Sequence, residues 1–162
     1  MNDGLVIAAG TGETVWVQGL GARVLLTDAD TDGRFALVEH PLQPRALGAP
    51  LHTHTDEDEI SYVLEGRVGV QIGDRVEFAE PGAVIVKPRG IPHAFWNAGD
   101  APARLLEIIT PGGFAGYFAE ASAVFAACPP DPARIGALLA RYRLHLDPDS
   151  IPALIAAHGL VG

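Results

Sequence analysis

A chain of 162 residues, 48% of them hydrophobic, is long enough for one packed domain and too apolar to stay disordered. Its net charge of −9, without any basic run, argues against nucleic acid or an anionic membrane as partner, and no apolar stretch reaches spanning length. The one cysteine, Cys128, excludes an internal disulfide, and residues 1–4 lack the pattern of a secretion signal, so a cytoplasmic protein is expected.

From about Leu5 to Thr110 the apolar residues come in short groups, among them Val24 to Leu26, Phe35 to Val38, Ile60 to Leu64, Val68 to Ile72, Ala83 to Val86 and Leu105 to Ile109. Turn signals separate them, including Asp32-Gly33, Glu65-Gly66, Gly73-Asp74, Pro81-Gly82 and Gly99-Asp100. Roughly ten short strands with no helical pattern between them predict an all-β sandwich or barrel. After Pro111-Gly112-Gly113 the period changes. Phe114, Tyr117, Phe118, Ala121 and Phe125 recur at helical spacing. Asp131-Pro132 opens a second helix with the stripe Ile135, Leu138, Leu139 and Tyr142, and a third runs from near Ser150 to a cap at Gly159. The expected division is a β-barrel over residues 1–112 and a helical extension over 113–162. The extension would pack on the barrel or offer its aromatic stripe to a second subunit.

Two stretches carry the chemistry. In "PLHTHTDEDEISYVLEG", His52 and His54 are two apart and so share one side of a strand, and Glu59 opens the next strand, which ends at Gly66. In "GAVIVKPRGIPHAFWN", Gly82, Pro88, Gly90, His93 and Asn97 place a third histidine behind a glycine turn. These spacings resemble the two signature motifs of the cupin family; one departure is Gly48, which stands four rather than six positions before His52. The resemblance covers about residues 14–113. It implies a double-stranded β-helix, a jelly-roll-like barrel, with His52, His54, Glu59 and His93 inside as metal ligands. Asp58 is the one competitor for the carboxylate, and the six-residue gap to Gly66 favours Glu59. Three imidazoles and a carboxylate suit one divalent transition-metal ion (Fe, Ni, Mn, Co, Cu or Zn) and do not suit Ca or Mg. Since imidazole ligands must be neutral, release of the ion near pH 5 is expected.

Alternation places Ser61 and Val63 on the face of Glu59, and Phe95 and Asn97 beside His93, so Ser61, Val63 and Phe95 are the expected substrate pocket. Phe95 fits a core position equally well, and Asn97 suits a turn-holding role. Asp56, Glu57 and Asp58 read as a solvated turn. Glu107, the lone charge in "RLLEIIT", is expected to face water. Surface roles are expected for His40, His145 and His158, and helix-end packing for Cys128. There is no G-x-S-x-G, H-E-x-x-H, C-x-x-C or phosphate loop, so any chemistry must run through the metal site.

The run from His52 to Phe114, including "TPGGF", is most similar to small bacterial monocupins related to quercetin dioxygenases. That resemblance implies a dioxygenase whose metal holds a deprotonated hydroxy-carbonyl substrate, with Glu59 as catalytic base. The competing readings are a non-enzymatic sensor or carrier of small molecules, and a cupin isomerase, cyclase or lyase. Resemblance also implies a homodimer.

Overall fold

The computed structural model describes residue 4 and residues 6–161; residues 1–3, 5 and 162, which the expected domain limits and the leader reading include, lie outside the described residues. The first half of the chain forms strands β1 (Val15–Val17), β2 (Leu20–Leu26), β3 (Ala36–Leu42), β4 (Leu47–His54), β5 (Asp58–Glu65) and β6 (Val68–Ile72). Next come β7 (Arg75–Ala79), β8 (Val84–Lys87), β9 (His93–Asn97) and β10 (Ala103–Thr110). One sheet has the order β1-β2-β3-β10-β5-β8, and the second contains β4-β9-β6-β7; every named pair is antiparallel.

The two sheets form a sandwich, and the closed barrel expected from the motifs is not formed. Among the described residues no hydrogen-bonded ladder joins one sheet to the other, and β8 lies at the edge of its sheet. Its shortness has a chemical cause: Pro88 follows the strand directly and has no N–H with which to extend a ladder.

Inward residues alternate with outward ones, as the pleat requires. In β3 the buried set is Ala36, Val38, His40 and Leu42; in β10 it is Ala103, Leu105, Glu107 and Ile109. Leu42, Val63, Val68, Val70, Phe95 and Leu105 pack into one apolar cluster between the sheets. Each large side chain buried there contributes about 1.5–3 kcal/mol. Gly48 lets β4 approach this cluster, since a Cβ at that position would meet the Phe95 ring at 2.5 Å.

A 3₁₀ turn over Gly112–Ala115 leads into α1 (Gly116–Phe125), followed by α2 (Pro132–Arg141). The Asp131 carboxylate caps α2 by accepting from the Ala133 N–H at 2.9 Å. The last helix, α3 (Ser150–His158), closes at Gly159 with φ +63°. The extension is not purely helical. Strand β11 (Leu144–Leu146) lies between α2 and α3 and pairs with β4, Leu144 opposite His54 and Leu146 opposite His52. Three residues between helices are too few to show a period of two, which is why the strand escaped the pattern. Cys128 is exposed beyond α1 and does not pack at the helix end. Among the described residues no helix is long and apolar enough to cross a membrane.

Candidate metal centre

His52 and His54 leave β4 on the same side, and His93 opens β9, the neighbouring strand, directly opposite His52. Glu59 comes from β5 in the facing sheet. The left-handed turn at Gly90, φ +73°, re-aims the chain before His93. All four side chains are buried, and one ligand atom from each lies within 4.8 Å of the others.

The imidazoles are held by their other nitrogens. Nδ1 of His52 donates to the Pro50 carbonyl at 2.8 Å and Nδ1 of His93 to the Ile91 carbonyl at 3.0 Å. Nδ1 of His54 lies 3.4 Å from Glu57 Oε2. Each contact leaves Nε2 for the centre, the arrangement by which outer groups orient metal-binding histidines. Nε2 of His54 is 3.3 Å from Glu59 Oε1, and Nε2 of His93 is 3.3 Å from Glu59 Oε2. The residues fit the ion that the motifs imply: buried nitrogen lone pairs converge on a carboxylate, a donor set that a borderline divalent cation satisfies and that Ca or Mg would not choose.

Electrostatics prepare the site unevenly. Burial and the neighbouring His93 push His52 down to about 3, so it is neutral at any ordinary pH. Burial also opposes charge on His54, but the Glu59 charge and contacts with Glu57 and Glu59 outweigh it and raise the group to about 9. Without an ion, His54 therefore carries a proton at pH 7. An entering divalent ion must displace it. Metal uptake between pH 7 and 8 is expected to release about one proton per ion, and affinity should fall about tenfold per unit as pH drops below 9. Calorimetry in buffers of different ionisation enthalpy reads this directly; uptake without proton release would contradict it. Competition is thus expected to begin above the pH 5 that ordinary histidines imply.

Several polar residues expected at the surface are inside. Glu57 does not join a solvated turn; it is buried against His54. Asp56 and Asp58 do face outward, paired with Arg143 and Arg89 at 2.9 and 2.5 Å. Glu107 is 1% exposed rather than solvated: its Oε1 accepts from Ser61 Oγ at 2.8 Å and lies 2.5 Å from Lys87 Nζ. Lys87 also contacts Glu59 Oε2 at 2.8 Å and sits over the Phe95 ring at 4.8 Å. His40 is buried beside Glu107, with Nε2 to Oε2 at 3.5 Å, and His158 stacks on Trp96 with centroids 4.0 Å apart, so neither is a free surface group. His145 is exposed. In "VIVK" and "RLLEIIT" both parities are apolar, so alternation alone could not assign a face; Val84, Val86 and Ile108 turn outward while Lys87 and Glu107 turn in.

A cavity of about 550 Å³ opens beside His52, His54 and Glu59. Phe95 lines it and also belongs to the core. Ser61 is taken up by Glu107, and Val63 lies in the core cluster between the sheets. Asn97 holds its turn: Nδ2 donates to Gln43 and Ala101 carbonyls at 2.9 and 2.8 Å, and Oδ1 accepts from Gly99 N–H at 2.9 Å. Much of the cavity wall comes from the C-terminal extension, through Phe114, Tyr117, Phe118, Phe125, Leu144, Leu146, Ile151 and Ile155. Among the described residues, no lysine or arginine is on that wall.

Residues 39–109 match the family model of the cupin domain. No curated protein sequence matches the chain significantly. Among solved structures, a single-site variant of Bacillus subtilis oxalate decarboxylase superposes with TM-score 0.58 at 24% identity, over 67% of this chain and 29% of its own. KdgF from Halomonas sp. gives 0.59 at 19% identity, covering 67% and 94% of the two chains. A predicted oxalate decarboxylase of Thermotoga maritima gives 0.62 at 19% identity, covering 66% and 99%. The chain therefore spans under a third of the first of these proteins, and the shared feature is the fold.

Proposed function

We propose that this cupin-fold chain is a metal-dependent protein acting on a small, uncharged, largely apolar organic molecule, as a quercetinase-like dioxygenase. The observation that supports it is the cavity wall: candidate ligands on one side, aromatic and aliphatic side chains around them and, among the described residues, no lysine or arginine. Apart from the ion itself, a compact dianion such as oxalate would find no lysine or arginine on the described wall and would meet the Glu59 and Glu107 carboxylates. A planar molecule with a hydroxy-carbonyl edge avoids that cost, because its body is covered by Phe95, Phe114 and Tyr117.

His52, His54, Glu59 and His93 would hold the ion. Bound there, a divalent transition metal would supply Lewis acidity toward the hydroxy-carbonyl oxygens and, for a redox-active metal, a route to oxygen. Glu59 Oε1, the oxygen not engaged by Lys87, would take the substrate hydroxyl proton. The apolar wall excludes water around the reacting edge.

A second reading has its own support. Lys87 lies 2.8 Å from Glu59 and, with His54, holds that carboxyl well below the usual range against the opposing effect of burial. A carboxylate so stabilised is a weak base, which suits a carrier or sensor that orients a ligand without turning it over. Oxygen uptake by metal-loaded protein with 3-hydroxyflavone separates the two. Consumption above a metal-only control is expected for the dioxygenase. Saturable binding without consumption would leave the carrier standing, and failure to bind at all would remove the hydroxy-carbonyl class.

A further inference from the structure

His40 and Glu107 form a second polar feature in the cavity, outside the metal-ligand quartet. Nδ1–H of His40 donates to the Gly21 carbonyl at 2.8 Å, and the ring is wedged edge-on against Phe118 with centroids 4.9 Å apart. In that neutral tautomer Nε2 carries a lone pair. Glu107 is turned the complementary way: Oε1 is occupied by Ser61 Oγ and Lys87 Nζ, while Oε2 points to His40 Nε2 at 3.5 Å. Two acceptors thus face one another across a gap too long for a strong hydrogen bond, with no proton of their own to share. Burial, the largest influence on His40, holds the imidazole below its usual range despite the Glu107 charge, in keeping with the neutral form.

We infer that His40 Nε2 and Glu107 Oε2 are an acceptor pair that binds a hydroxyl or N–H donor of the substrate. Resting on the function proposed above, this narrows the substrate class: an apolar body with a metal-binding edge and, beside it, a separate hydrogen-bond donor. Lys87 links the two poles, touching Glu59 on one side and Glu107 on the other, so donor and metal-binding edge must lie close together in the molecule. A ligand lacking the donor leaves both acceptors buried and unpaired, the penalty from which discrimination by polar sites arises.

The zinc-loaded, diamagnetic protein tests this without knowledge of the true substrate. Nitrogen-15 NMR of the imidazoles should show His40 protonated at Nδ1 and bare at Nε2, and phenol should shift Nε2 whereas anisole, of similar shape but without the donor, should not. Phenol should bind roughly tenfold tighter than anisole, the size of one hydrogen bond to a charged acceptor. Glu107→Gln, whose amide can itself donate to His40, should erase that preference, as should His40→Phe, with zinc content and melting temperature reporting whether each variant folds. A doubly protonated His40 in the native protein, or equal affinity for phenol and anisole, overturns the proposal irrespective of any variant. Because neither probe carries a hydroxy-carbonyl edge, failure of 3-hydroxyflavone to bind would count against the function proposed above and leave this result intact.

Discussion

Native protein is expected to take up one divalent transition-metal ion per chain, and His52→Ala or Glu59→Ala to weaken that uptake by more than about a hundredfold. The magnitude follows from the geometry. Loss of an outer partner that merely orients a ligand already costs about 10–100-fold, and here a ligand itself is removed from a buried set whose atoms lie within 4.8 Å. Glu57→Gln supplies the graded case: it keeps all four ligands and withdraws only the charge beside His54 Nδ1, so a loss nearer tenfold is expected. Elemental analysis after dialysis against a weak chelator reads all three variants, with thermal melting to confirm that each is folded. Metal retained in His52→Ala at native stoichiometry would place the ion elsewhere. No uptake by the native protein from Fe, Ni, Mn or Zn would leave the quartet as a polar core cluster.

How much of this was legible in the amino-acid sequence depended on whether spacing alone determined the geometry. His52 and His54 share a side because a strand has a period of two, and Gly90 before His93 marks a turn by its chemistry. Asp131 and Gly159 announced helix ends for the same local reason. Contacts between distant segments were not legible in this way. Lys87 joins Glu59 and Glu107 only once β5 is hydrogen-bonded to β8 on one side and β10 on the other. The parity of β8 and β10 was hidden because Val84, Val86 and Ile108 make the outer face apolar too. Alternation identifies a buried face when the opposite face is polar, and this sheet withholds that contrast.

The C-terminal extension illustrates the same limit. Its aromatic stripe was visible at Phe114, Tyr117 and Phe125, yet a stripe does not say what it covers. The pairing of Leu144 with His54 and Leu146 with His52 carries the extension onto β4, and Phe114 then packs edge-on to His54 with centroids 4.4 Å apart. Much of the wall of the cavity is in this way built from residues outside the 39–109 stretch that matches the cupin domain.

Lys87→Met is expected to destabilise the metal-free protein by about 3–5 kcal/mol, the cost of leaving buried charge uncompensated. Lys87 is 1% exposed, with Glu59 Oε2 at 2.8 Å and Glu107 Oε1 at 2.5 Å. Burial pulls its pKa down, and the charges of Glu107 and Glu59 outweigh that pull and raise it. Glu59 is shifted oppositely, held low by Lys87 and His54 against burial. The signs fix the pH window. Stability from a raised lysine is present below its ordinary pKa near 10.5 and is lost above it; stability from a depressed carboxylate is present above its ordinary value near 4.5 and is lost as pH falls below it. The triad therefore acts across the neutral range, and urea denaturation at pH 7 should show the full loss. Pairing Lys87→Met with Glu107→Gln removes one of the stranded charges and should recover part of it, since the two sites touch and cannot be additive. A metal ion changes the balance by facing Glu59 with positive charge of its own, so the loss should be smaller in the metal-loaded protein. If Lys87→Met unfolds within about 1 kcal/mol of the native chain, the ammonium is not what compensates these carboxylates, and a proton on one of them must do so instead.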